Sequence, residues 1–313
     1  MLNSEKVKKL KNHVKDSFRV RPNHKPKYID VEGHLNRLRS KQHQIIYGRR
    51  GSGKSCLLVH YKNEIGKDDK ILSIYISTDE IKRLGYPDVL IRLLLKIMES
   101  MPRSKQKWRK FLFCETGIQK QINELRKLLN QAEVRQVKQE EKRQSNYAAT
   151  GAYMGVGANA GRASSFGTLS EFEEKKLDTL ERYLTDYKTS LESEIEKSKY
   201  KACFILLDDF YLIRRDRQPD VIDYLHRLVR GTEFYIKIAT IKHRTDIIRH
   251  EGQTIGIQDD QDLEQINLDR TLEDLTSPSD YLARILNSMA KDVGIENASE
   301  VLFNQHGFEK LVI

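Results

Sequence analysis

Apolar positions recur along this chain at two spacings, and the alternation between them outlines a fold. Short apolar runs at 44–47, 71–76, 202–207, 234–241 and 265–268 read as buried strands. Between them the spacing changes to that of helices: Val89, Leu90, Leu93, Leu94 and Ile97 fall on one face of a helix predicted over 87–98. Further helices are expected over 31–40, 56–61 and 220–229, and from Ser279 onward, where Leu282, Ile285, Leu286 and Met289 share a face. Strands alternating with helices predict an α/β fold, with a parallel sheet between helical layers.

One stretch departs from that rhythm. Ile118, Ile122, Leu125 and Leu129, and later Leu177, Leu180, Leu184, Tyr187, Leu191 and Ile195, repeat at three and four residues through polar surroundings, the spacing of a coiled-coil seam. Between them, 147–167 carries Gly151, Gly155, Gly157, Gly161 and Gly167, too many glycines for a helix to form cheaply. The expectation is an antiparallel helical hairpin over 103–199 with its tip at 147–167, where Tyr147, Tyr153, Met154 and Phe166 suit contact with a partner; the alternative is a flexible linker with none. It interrupts a core spanning 28–275. Residues 1–27 form a basic N-terminal extension, and 276–313 read as the start of a helical lid, short enough that the chain is a candidate fragment.

Composition narrows the partners. A formal net charge of +10 favours acidic partners, nucleic acid first, although a solvated helical surface gives a similar total. Only the N-terminal stretch is lopsided, with Lys6, Lys8, Lys9, Lys11, Lys15, Arg19, Arg21, Lys25 and Lys27 far outnumbering its acids. Cys56, Cys114 and Cys203 are widely spaced and suggest neither a zinc site nor a disulfide framework, which fits a reducing cytoplasm. No segment reads as a secretory signal, and no run approaches the roughly 18 apolar residues a membrane span needs, so no membrane association is expected.

The chemistry concentrates after the first strand. Gly48, Arg49, Arg50, Gly51, Ser52, Gly53, Lys54 and Ser55 match GxxxxGK[ST] at every fixed position, between a predicted strand and a helix opening at Cys56. Such a loop wraps its amides round phosphate oxygens at the positive end of the helix. Lys54 then reaches the β and γ phosphates, and the Ser55 hydroxyl goes to Mg²⁺. A second strand ends in the acids Asp208 and Asp209, the Walker B pattern: Asp208 suits the metal, and Asp209 suits orienting or deprotonating a water. The same two acids would also serve as helix caps. Thr240, at the end of a neighbouring strand, is a candidate γ-phosphate sensor, and Arg244 and Arg249 are candidates for an arginine reaching the next subunit's nucleotide, with Arg227 and Arg230 weaker ones.

Taken in order, HQIIYGRRGSGKS at 43–55, LDDFY at 207–211, QPDVIDYLHRL at 218–228 and KIATIKHRT at 237–245 resemble AAA+ P-loop ATPases of the origin-recognition and replication-initiator type. The likeness spans roughly 28–290 outside the insertion, and is nearest to a prokaryotic initiator-like branch. It implies Mg-dependent ATP hydrolysis, homo-oligomerisation, and action on DNA or a partner protein, with Walker A roles for Lys54 and Ser55, the Mg²⁺ role for Asp208, the sensor role for Thr240 and the finger role for Arg244 or Arg249. Asp209 departs from the usual glutamate by one methylene, which keeps open a nucleotide-binding protein with little turnover. The alternative from another class is a nucleotide-licensed signalling or antiphage-defence scaffold with a separately encoded effector. ATP rather than GTP rests on the family likeness and the lack of a guanine-reading NKxD.

Overall fold

Five parallel strands organise the chain, and burial of both faces of the three inner ones explains their largely apolar sequence. The computed structural model describes residues 4–17, 28–30, 33–68, 70–102, 117–130, 173–251, 253–257, 262–269, 278–296 and 298–299. In chain order the elements are α1 (Ser4–Ser17), α2 (His34–Leu38), β1 (Gln44–Tyr47), α3 (Lys54–Ile65), β2 (Ile71–Ser77) and α4 (Asp88–Glu99). Helices α5 (117–130) and α6 (173–182) follow, then α7 (Leu184–Glu196), β3 (Ala202–Asp208), α8 (Gln218–Val229), β4 (Phe234–Thr240), β5 (Ile248–Glu251), β6 (Gln253–Gly256), β7 (Glu264–Asn267) and α9 (Pro278–Lys291).

The sheet order is β2-β3-β4-β1-β7, with every neighbouring pair parallel. Side chains alternate between its faces. Ile46, Phe204, Leu206, Ala239 and Ile266 pack with Leu57, Leu58, Tyr61 and Ile65 of α3 on one side. Ile45, Ile205, Leu207, Ile236 and Ile238 pack with the apolar faces of α4, α7 and α8 on the other. This is an α/β fold with helices on both faces of a parallel sheet, compatible with a Rossmann-like or a P-loop architecture. Among the described residues no helix is long and apolar enough to cross a membrane.

The predicted strands agree with the observed ones to within a residue or so, while the seam residues behave differently from a free-standing coiled coil. Ile122, Leu125, Leu180, Tyr187, Leu191 and Ile195 are buried in the same cluster as α4 and α8, so the described bases of the two expected arms close against the core. Tyr224 of α8 reinforces this by donating its hydroxyl to the Leu180 carbonyl at 2.9 Å. The glycine-rich tip at 147–167 and Cys114 lie outside the described residues. Two elements were not anticipated: helix α1, and the antiparallel β5–β6 hairpin, which packs on α8.

One basic residue sits inside the sheet, its pKa lowered by burial to about 7. Lys237, in the middle of β4, is fully buried. Its Nζ donates to the Ser40 carbonyl at 2.7 Å, the Gln42 carbonyl at 2.9 Å and Gln44 Oε1 at 2.6 Å. Three acceptors match the three donors of an ammonium. Gln44 in turn donates to the Arg37 carbonyl at 2.8 Å, so the network fastens the α2–β1 turn to the middle of the sheet. Lys237→Met keeps the aliphatic stem but strands those acceptors in a buried site. It should lower unfolding free energy by about 2–4 kcal/mol, read from the urea midpoint, whereas an unchanged midpoint would deny the ammonium this role.

Candidate functional site

A strand running into a tight loop and then a helix is made possible here by two glycine positions above all. A Cβ on Gly48 would lie 2.2 Å from Ser52 Oγ and 3.1 Å from Ser52 Cβ, so a side chain there would force Ser52 to shift. Gly53 caps α3 with φ 90°, a left-handed conformation that strains other residues. Between them the Ser52 amide donates to the Arg49 carbonyl at 3.2 Å. The loop is tied to the sheet where the Gly48 amide donates to the Thr240 carbonyl at 3.2 Å, extending the β1–β4 ladder beyond Tyr47.

Lys54 opens α3 and turns its side chain back into the loop. Its Nζ donates to the Gly48 and Arg49 carbonyls, both at 2.8 Å. Burial lowers its pKa, and the carboxylates of Asp209, Asp208 and Asp269 act in the opposite direction. The ammonium and both acids of the second motif therefore share one electrostatic neighbourhood. Ser52 Oγ is buried without a hydrogen-bond partner, an unsatisfied polar atom inside the loop. Ser55 is half-buried at the start of the helix. Burial pushes the thiol of Cys56 up to about 11, so it stays protonated and inert near neutral pH.

Asp208 ends β3 almost wholly buried, and protein donors hold both its oxygens. Tyr75 of β2 donates its hydroxyl to Oδ2 at 2.6 Å, and the Asp209 amide donates to Oδ1 at 2.9 Å. Asp209 itself has φ 56°, the one described residue other than glycine with a left-handed backbone. Thr78 secures that turn by donating Oγ1 to the Asp209 carbonyl at 2.6 Å. Burial raises the Asp209 pKa to about 6, helped by the Asp208 charge and opposed by Lys54 and Arg50.

The other expected residues divide. Thr240 is fully buried at the end of β4, between the strands that carry the loop and the acids. Its Oγ1 lies 2.5 Å from Thr245 Oγ1, whose own proton goes to the Ile241 carbonyl, so Thr240 donates to Thr245. Arg244 is exposed and stacks its guanidinium 4.9 Å from the centre of the Tyr211 ring. Arg249 lies on β5 and forms a bidentate pair with Asp220 at 2.8 and 3.0 Å, and also donates to the Asp216 carbonyl at 2.8 Å. The weaker candidate Arg227 is likewise engaged, with Glu181 and Asp223.

Three neighbours of the site escape a reading by motif. Tyr75 lies near the end of β2 and Thr78 just past it, where nothing but their position beside β3 marks them. Asp269, just past β7, accepts the Arg49 amide and so holds the outer limb of the loop. Among the described residues no cluster of three or more histidines, cysteines or acids could hold a metal alone. The oxygen donors nearest that purpose are the Ser55 hydroxyl and the Asp208 carboxylate, hard ligands that suit Mg²⁺ when substrate oxygens and water complete its shell.

Replacing Tyr75 with phenylalanine retains the ring and removes one donor from a buried carboxylate. Tyr75→Phe should therefore lower unfolding free energy by about 1.5–3 kcal/mol in denaturant titration, and an undiminished stability would show that Asp208 does not depend on this bond. No protein-family model matches the chain and no curated protein matches it, so what the site does has to follow from its own residues.

Proposed function

We propose that the chain binds Mg-ATP in the 48–56 loop and hydrolyses it, using the cycle as a conformational or oligomerisation switch that acts on DNA or a partner protein. The observation that carries this reading is the joint neighbourhood of Lys54 with Asp208 and Asp209 at one edge of the sheet. The matched loop, its helix and the resemblance to AAA+ ATPases support it.

In this reading Lys54 exchanges its carbonyl partners for the β and γ phosphates, and the unsatisfied Ser52 hydroxyl gains an acceptor. Ser55 and Asp208 would hold Mg²⁺, which when bound offsets charge on the phosphate oxygens. Asp209 orients a water and accepts its proton as the water oxygen attacks the γ-phosphorus. The bond from that phosphorus to the bridging oxygen breaks, leaving ADP and inorganic phosphate. Exposed Arg244 is better suited than Arg249 to reach a neighbouring subunit, because Arg249 would have to leave Asp220 first.

A second reading, nucleotide binding with little turnover, is favoured by the short Asp209 side chain and by the commitment of the Thr240 proton to Thr245. Turnover separates the two. Lys54→Ala should weaken ATP binding by about 3 kcal/mol, on the order of a hundredfold in a fluorescent-nucleotide titration. Asp209→Asn should retain binding while kcat falls roughly 10²–10⁴-fold in a phosphate-release assay. Hydrolysis at the parent rate by either variant would refute the site, and no phosphate release by the parent under saturating Mg-ATP would leave the second reading.

The pH profile follows from the same acid. Asp209 must be ionised to accept a proton, and its pKa in the free protein is raised to about 6. The kcat/KM is therefore expected to climb through pH 6 and level off above it, since that parameter reports groups of the free enzyme. A profile already flat through pH 6 would exclude Asp209 as the base.

A further inference from the structure

The N-terminal helix is built as a small unit apart from the sheet. Leu10 is buried and Val14 half-buried in α1, and both pack with Leu286, Met289 and Ala290 of α9. This cluster shares no member with the two that sandwich the sheet. His13 Nε2 and Asp292 Oδ2, 3.2 Å apart, add a polar contact between the same two helices. Of the three apolar residues on this face of α1 only Val7, near its start, stays exposed.

What remains outward is charge. Lys6, Lys8, Lys9, Lys11 and Lys15 are all exposed, and of these only Lys9 has an acidic partner among the described residues, Glu5 at 3.3 Å. Lys8, Lys11 and Lys15 are three and then four residues apart, so they form one stripe about 60° wide and about 10 Å long. Over that length duplex DNA presents about six phosphate charges, one for each 1.7 Å or so of its axis.

We propose that α1 is a docking surface for duplex DNA, with Lys8, Lys11 and Lys15 contacting the phosphate backbone without reading sequence. Two features favour this occupant. A bilayer-binding helix inserts its apolar face, and here Leu10 and Val14 pack against α9, leaving Val7 alone to insert. Single strands are held by stacking on aromatic rings, and the α1 sequence contains no phenylalanine, tyrosine or tryptophan. The proposal gives a partner to the ATP-driven switch and rests on that reading for its purpose, while the surface itself stands on the packing of α1.

The test titrates the full chain with two labelled duplexes of unrelated sequence over a range of salt, following fluorescence anisotropy. Both duplexes should bind alike. Changing Lys8, Lys11 and Lys15 together to alanine should weaken binding about a hundredfold near physiological salt and flatten the log–log salt slope by about 2.7, or about 0.9 for each phosphate no longer neutralised. A control with Lys41, Lys67 and Lys82 changed to alanine loses the same charge from residues paired with Glu233, Glu64 and Asp79, and should bind like the parent. Absence of DNA binding by the parent, or equal weakening in both triple variants, overturns the proposal. So does equally tight, α1-dependent binding of polyglutamate. ATP hydrolysis measured without DNA keeps the two ideas apart: the α1 triple variant should turn over like the parent, and a parent without turnover would sink the switch while leaving the DNA result intact.

Discussion

Burying an ammonium or a carboxylate alone is expensive, and one edge of this sheet buries both kinds without letting them meet. Lys54 is 6% exposed and Asp208 only 1%, yet no ion pair joins them. Each is solvated by protein dipoles: two loop carbonyls around Lys54, and a phenol with a backbone amide around Asp208. Collapsed into a salt bridge, the two charges would largely satisfy each other. Held apart, they suit an occupant that carries both an anion and a cation, which is why a metal-bound nucleotide is the proposed ligand.

The strand order makes that separation possible. With β4 between β1 and β3, the loop and the acids stand one strand apart, and the Thr240 carbonyl fastens the loop at its root. Every strand delivers something to the same edge. β1 leads into the loop, β3 ends in Asp208, and β4 ends in Thr240. β2 supplies Tyr75 and, just past its end, Thr78, while the segment after β7 supplies Asp269. In parallel α/β sheets ligands gather at the carboxyl ends of strands because those ends share one edge. Here that rule explains why residues separated by well over a hundred positions come to share a hydrogen-bond network.

Much of this was legible in the sequence, because a strand buried on both faces must be apolar throughout. Runs such as 202–207 and 44–47 were marked in that way, and the glycine spacing of 48–53 marked the loop between strand and helix. The supporting residues carried no such mark. Tyr75 and Thr78 acquire their roles only from parallel pairing with β3, a register that no local pattern encodes. The helical seams misled for a related reason: spacing at three and four residues says that a face is buried, not what buries it, and Ile122 and Leu191 proved to lie in the core cluster. Lys237 went unremarked because its partners are mostly backbone carbonyls of a turn.

The described site also carries its own brake. Lys54 spends two donors on loop carbonyls, Asp269 takes the Arg49 amide, and Thr240 donates to Thr245 rather than outward. A ligand that recruits these groups must break existing bonds to do so, and the net gain per exchanged hydrogen bond is only about 1 kcal/mol. Asp209 adds a further constraint, since its left-handed turn is fixed by Thr78 and its shorter side chain has one methylene less reach than a glutamate. Groups satisfied in this way favour selective over tight occupation, because only a ligand that replaces each bond it breaks gains by binding. A fast hydrolase would be better served by donors left free to follow the charge as it develops on the transferring phosphate.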